Sequence, residues 1–342
     1  GVLDICATGG AFAATKSDGS VVAWGHRLYG GDVRDVEEQI SANVRCVYAN
    51  IDAFAAVTRD GAVVTWGNQA HGGCRNDTYH ELMGGVRSVA ATDLAFAAVK
   101  DDGSVFTWGQ AEFGGNSSMV SEELVGVREV YGTRGAFAAV RGDAAIVVWG
   151  HKDYGASTRL AREPLRGDPG EPIHVCANKG AFCAMLSGPG GRAVAWGDAS
   201  YGGDASMVRQ RLAEGVQELV CTHCAFAAVK TDGEIVTWGR STHGGDSSQV
   251  RHQLTAGVRR CFATAGAFAA LTETGQVVSW GHRNLGGFSG AVRAQLSAGV
   301  QHICCTGSAF AAVKADGSVV SWGNREFGGD NAAVQKVLQP CG

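Results

Sequence analysis

Two short strings in this sequence carry residue types that can do chemistry. Cys221-Thr222-His223-Cys224 is a Cys-x-x-Cys pair around an imidazole, the arrangement of a dithiol redox centre or of half a zinc site. No second pair lies at suitable spacing, so both thiols read as small core residues at the end of an apolar segment. Gly244-Gly245-Asp246-Ser247-Ser248 comes nearest to a phosphate-cradling loop, yet no lysine follows it where phosphate would need one. Single aspartates follow a Gly-Gly pair at Asp32, Asp204, Asp246 and Asp330. Calcium wants several oxygens converging on one point, so each of these reads as the N-cap of a helical turn. No nucleophile with its base and no working carboxylate pair emerges from the sequence. The expectation is a protein that is not an enzyme, with no catalytic residue, no metal and no cofactor.

The elements that position these residues come in copies. All eight tryptophans share one motif, at Trp24, Trp66, Trp108, Trp149, Trp196, Trp238, Trp280 and Trp322. A phenylalanine precedes each by twelve residues, from Phe12 to Phe310, except in the fifth copy, where Ser187-Gly188-Pro189-Gly190-Gly191 adds two. The chain of 342 residues therefore divides into one repeat domain with copies at about 1–42, 43–84, 85–125, 126–170, 171–214, 215–256, 257–298 and 299–342.

In the last copy an apolar run (Val300, Ile303, Cys304, Cys305) is long enough for a strand and too short for a helix. Ala309 to Lys314 and Ser318 to Gly323 then flank Asp316-Gly317, and two β-capable runs joined through Asp-Gly make a hairpin. After the Trp a polar loop leads to Gly-Gly and to an apolar pair four apart, such as Val36/Ile40, Val250/Leu254 or Val334/Leu338, which predicts one helical turn. A three-stranded sheet cannot hide its own apolar faces, so the units must stack. Eight equal units without a half unit at either end fit an all-β, closed β-propeller better than seven blades or an open solenoid. The Phe and Trp rings then fill the space between blades.

The string Ala309-Phe310-Ala311-Ala312-Val313-Lys314-Ala315-Asp316-Gly317-Ser318-Val319-Val320-Ser321-Trp322-Gly323 resembles the repeat of the regulator of chromosome condensation family, over the whole chain. The resemblance implies a propeller and, as for most functions in that family, protein–protein binding. Thr306 and Ala309 stand where the family has Gly and His, and Gly328-Gly329-Asp330 replaces its Gly-Gln-Leu-Gly, so the resemblance is to a divergent, short-repeat branch. Nucleotide exchange on a small GTPase is one activity it would imply.

Positions that are the same in every copy serve the fold, so specificity is expected where copies differ. Five residues after the Trp stand Tyr29, His71, Phe113, Tyr154, Tyr201, His243, Leu285 and Phe327; two after it stand His26, Asn68, Gln110, His151, Asp198, Arg240, His282 and Asn324. The binding-rim expectation names Tyr29, His71, Phe113, Tyr154, Tyr201, His243, Phe327, His26, His151, Arg240 and His282. The plainer reading is that each aromatic packs over its own Gly-Gly turn. Asp4, Glu129, His174, Glu218, Arg260 and His302 occupy equivalent first-strand positions and read as a polar channel lining. Arg166 to Pro172 lengthens the step into the fifth copy and is a second place for partner contact.

Composition bounds the partner. With 29 Lys and Arg against 33 Asp and Glu, a formal charge of −4 gives no field towards nucleic acid or anionic lipid. No run of eighteen apolar residues offers a membrane span, and Gly1-Val2-Leu3-Asp4 lacks the stretches of a signal peptide. We expect a processed piece of a cytoplasmic protein whose partner is another protein, with a glycan, bound lectin-fashion by the same rim, or a small molecule as the alternative ligand. The eleven cysteines, most of them in first-strand segments, read as small core residues, against which Asn76-Asp77-Thr78 and Asn116-Ser117-Ser118 match the glycosylation pattern.

Overall fold

Each repeat folds as its turn chemistry requires. In the second repeat the strands Val44–Ala49, Ala53–Thr58 and Val63–Gly67 pair antiparallel in chain order, and the same order recurs in all eight sheets of the computed structural model. The structure describes residues 1–73, 82–157, 173–186 and 190–334. Gly19, Gly61, Gly103, Gly233 and Gly317 of the Asp-Gly turns hold φ between 78° and 81°, where glycine carries no Cβ penalty. The preceding aspartate locks the turn. Asp18 Oδ1 accepts the Ser20 N–H at 2.9 Å and the Ser20 hydroxyl at 2.7 Å, and those bonds hold its carboxyl down at about 2.

The twelve-residue interval has a direct physical meaning. It sets Phe12 opposite Trp24 across the hairpin, and every other copy repeats the pairing, including Phe182 opposite Trp196 in the fifth. The paired rings stack with centroids 5.1–5.4 Å apart. Because side chains alternate along a strand, Ala53, Ala55 and Val57 face one way while Phe54 and Ala56 face the other. Ala11, Ala13, Val21 and Ile40 of blade one therefore meet Val44, Val47, Phe54, Ala56, Val64 and Trp66 of blade two in one buried cluster. Within each unit the alanine face of one blade receives the ring face of the next, and each buried ring contributes about 2–3 kcal/mol.

The Gly-Gly turn completes this interface. Trp66 Nε1 donates to the Gly30 carbonyl of the preceding blade at 2.9 Å, and Trp108, Trp149, Trp238, Trp280 and Trp322 make the same bond to Gly72, Gly114, Gly202, Gly244 and Gly286. Gly30 has φ 91°, and a Cβ there would stand 2.6 Å from the Phe54 ring. Conformation and contact both demand glycine.

The fold is thus all-β, a β-propeller of eight short three-stranded blades. The blades group into two compact units, 1–170 and 171–342, where the sequence suggests one continuous domain. Within the first unit, blade one has no preceding blade, and Phe12 and Trp24 are 46% and 45% exposed against 0% and 4% for Phe54 and Trp66. The expectation that every ring pair fills an inter-blade space fails there. The expected helical turns are short 3-10 turns, for example Ser118–Glu123, Ser206–Val208 and Arg251–Gln253. The aspartates do not stand at the expected N-cap position, which Ala205 and Val250 occupy; Asp204 Oδ1 instead accepts from Ser206 N and Asp246 Oδ1 from Ser248 N, local turns that precede the 3-10 segments. The insertion at 166–172, the Asn76-Asp77-Thr78 sequon, Ser187 to Pro189 and Leu338 lie outside the described residues. Among the described residues no helix is long and apolar enough to cross a membrane.

Candidate binding rim

The variable positions belong to a second 3-10 turn, whose N-cap stands two residues after each Trp. In blade one this turn is Arg27–Tyr29, with His26 as its N-cap and Gly30 as its left-handed C-cap. The residue two after the Trp is thus a capping position. His26 Nδ1 accepts from Leu28 N, Asn68 from Ala70 N, His151 Nδ1 from Asp153 N, Asp198 from Ser200 N and Asn324 from Glu326 N. Gln110, Arg240 and His282 make no such bond, which frees their heads from the turn.

A threonine or asparagine, buried in six of the eight repeats, fixes the turn in space, a role that sequence reasoning missed. Four residues before each Phe stand Thr8, Asn50, Thr92, Thr133, Asn178, Thr222, Thr264 and Thr306. Each side chain donates to the backbone carbonyl of the rim residue of its own repeat: Tyr29, His71, Phe113, Tyr154, Tyr201, His243, Leu285 and Phe327, at 2.7–3.1 Å. In blade four the same Thr133 oxygen accepts the Ala136 N–H, so one hydroxyl ties the start of the second strand to the rim. The signal was legible as a fixed offset repeated eight times.

In the first unit the rim is aromatic. Phe113 lies 6.2 Å from both the His151 and Tyr154 rings, while His151 and Tyr154 are 5.2 Å apart. Gly135 makes this cluster fit, since a Cβ there would stand 2.6 Å from Tyr154. Tyr29 packs over Gly10 with His26 at its edge, 5.2 Å away. The aromatics thus rest on the glycine before the second strand, their own blade's or the next blade's, rather than on their own Gly-Gly turn. His71 is engaged inside its own repeat, its Nδ1 at 2.5 Å from Asp52 Oδ2.

In the second unit the rim is cationic. Arg240 lies over the Tyr201 ring at 5.3 Å, and the His243 and His282 rings are 5.8 Å apart. Burial, then Lys179, then His243 push the His223 imidazole below its usual range; burial, Arg240, His282 and Lys179 do the same to His243. His282 Nδ1 is buried without a hydrogen-bond partner. Phe327, near the end of the described chain, is 60% exposed.

A third variable row completes the surface and was also missed. Three residues before each Phe stand Gly9, Ile51, Asp93, Arg134, Lys179, His223, Ala265 and Gly307. Their backbones form a ladder across neighbouring blades, Ile51 N to Asp93 O and Asp93 N to Arg134 O in one unit, His223 N to Ala265 O in the other. Side chains of this row stand beside the turn residues. Arg134 pairs with Asp93 at 2.8 Å and lies over Tyr154 at 5.8 Å.

The Cys-x-x-Cys string is absorbed by this geometry: Thr222 is a clamp, His223 a rim residue, and Cys224 is buried. Among the described residues no three His, Cys, Asp or Glu side chains are grouped to hold a metal. Of the first-strand polar positions, Asp4, Glu129, His174, Arg260 and His302 are exposed, and burial raises the Glu218 carboxyl despite Arg260 beside it.

No family model and no curated protein matches this sequence. Solved structures are similar at a distance. The ectodomain of the Physcomitrella patens receptor kinase CR4 is 13% identical, with 94% of this chain and 72% of that chain covered at a TM-score of 0.42. The CRINKLY WD40 ectodomain of the Arabidopsis thaliana receptor kinase ACR4 is 15% identical, with 82% and 95% covered at 0.43. Prp20p of Saccharomyces cerevisiae is 14% identical, with 84% and 74% covered at 0.43. Likeness at this level assigns no family and no ligand.

Proposed function

We propose that this chain is a non-catalytic, protein-binding propeller of the regulator of chromosome condensation type, and that its rim turns are the binding surface. The carrying observation is the contrast between constant and variable positions. The clamp is Thr or Asn in every blade, a socket glycine joins it in four (Gly10, Gly135, Gly180 and Gly266), and the clamp holds one residue that changes identity from blade to blade. A scaffold that repeats one clamp eight times to present a row of Tyr, His, Phe and Leu side chains is suited to recognising an irregular surface, as protein partners have. The aromatic cluster of Phe113, His151 and Tyr154 suits an apolar anchor. Lys179, Arg240 and the neutral imidazoles of His223 and His243 suit a carboxylate-rich segment.

The test is affinity capture with the intact chain, against a variant with Tyr29, Phe113, Tyr154, Tyr201 and Phe327 all changed to Ala. A second variant changes Met119 and Met207, which are 95% exposed away from the rim turns. A partner that binds the wild type and the Met variant, is lost from the rim variant, and binds again as purified protein supports the reading. Capture that survives the rim substitutions rejects it.

A further inference from the structure

Blades five and six meet through a pair of thiols. Cys176, in the first strand Ile173–Ala177, donates its S–H to the sulfur of Cys221, the last residue of the first strand Val216–Cys221, at 3.0 Å. That is about one ångström beyond a covalent S–S bond. Both residues are partly exposed, whereas Cys183, which faces Cys176 across the hairpin, is fully buried. In the other blades the position of Cys221 is Ala7, Ala49, Ala91, Gly132, Ala177 or Ala263, and Cys305 in blade eight, where the residue that matches Cys176 in the preceding repeat is Phe262 and not a cysteine. A second thiol replaces that small residue opposite Cys176.

We propose that Cys176 and Cys221 form a reversible disulfide that fastens blade five to blade six, with a low-molecular-weight disulfide as oxidant. The hydrogen bond sets the order of events. Cys176 keeps its proton while it donates to Cys221, so the Cys221 sulfur, as thiolate, attacks one sulfur of RSSR, forming Cys221–S–SR and releasing RS⁻. Cys176 then loses its proton and attacks the Cys221 sulfur, forming the Cys176–Cys221 bond and expelling the second RS⁻. Two protein thiols are oxidised by two electrons, one RSSR is reduced to two RSH, and the two thiol protons end on the two leaving groups. The bond to Cys221, and then burial, push the Cys176 thiol well above its usual range, which makes it the second thiol to react. The cross-link joins residues 45 apart in the chain.

The full chain incubated with oxidised glutathione, digested and read by non-reducing mass spectrometry gives the test. The expected product is a Cys176–Cys221 cross-linked peptide pair, two hydrogens lighter than its reduced parts, with a midpoint of thermal unfolding raised by several degrees and restored by dithiothreitol. Cys221→Ala, the residue that stands there in blade two, should fold, form no cross-link and show no oxidant-dependent shift. Cys183→Ala should still cross-link. A Cys176–Cys183 disulfide, glutathione adducts only, or unchanged thiols that label fully once the chain is denatured would each overturn the proposal.

Discussion

Trp66 and Trp24 are the same residue in the same strand position, and their surroundings separate them. Trp66 is buried and donates to Gly30, while Trp24 is half exposed at the first blade. Trp66→Phe strands a buried carbonyl and removes ring contacts, so it should cost about 1–3 kcal/mol. For a unit of this size that lowers the unfolding midpoint by roughly 2–10 °C in a calorimetric scan. Trp24→Phe should move it hardly at all. The hairpin aspartates give a second residue-scale expectation. Asp18, Asp102 and Asp316 are held low by their bonds to Ser20, Ser104 and Ser318, with Asp18 at about 2. A carboxyl whose folded pKa is depressed stabilises above its unfolded value, near 4, and that contribution disappears as pH falls towards 2. Replacing all three with Asn should flatten the dependence of the melting midpoint on pH between roughly 4 and 2 and leave its course above pH 5 unchanged.

At the scale of the element, the rim turn is held by its clamp, which predicts a specific failure. Thr133→Val keeps the shape of the side chain but leaves the Tyr154 carbonyl and the Ala136 N–H without their bonds. It should cost about 1–3 kcal/mol and weaken partner binding although no rim side chain changes, as calorimetric titration with the partner would record. Thr133→Ser should restore both. For the cationic rim, His223 and His243 stay neutral near pH 7 because burial and Lys179 or Arg240 oppose their protonation. A bound carboxylate raises their pKa values, binding takes up protons, and affinity for an acidic partner should strengthen as pH is lowered from about 7.5 to 6. Affinity that is flat over that range in the wild type, or equally steep in a His223→Gln, His243→Gln variant, would refute the assignment. The hairpins and their Phe–Trp register were legible in the sequence because Asp-Gly and a constant spacing are local signals. The clamp was not: a threonine in a loop reads as a polar surface residue until its acceptor, twenty-one residues onward, is known.

At the scale of the whole molecule, stability in a repeat protein is a sum over blades and the interfaces between neighbours. The period and the blade count could be read from eight tryptophans. The division into units at 170 and 171 could not, since the repeats on either side carry the same motif and composition holds no marker of it. In the first unit the interface sum predicts a gradient. Every residue of the strand Ala53–Thr58 is buried, while Ala11–Lys16 of blade one carries an exposed Phe12. Amide hydrogen exchange should therefore release blade one first and hold blades two and three longest. Phe96 sits at the junction of blades two and three, packed with Ala53, Ala55, Val57, Val86 and Trp108. Truncating it to Ala should cost about 3–5 kcal/mol, with a cavity that the alanine face opposite cannot fill by moving. In the variant, protection should fall in blades two and three together and stay unchanged in blade one, which packs on the opposite face of blade two and contributes no residue to that junction. Uniform loss across the first unit would mean that its four blades unfold as one cooperative block, and the nearest-neighbour account of this molecule would have to be given up.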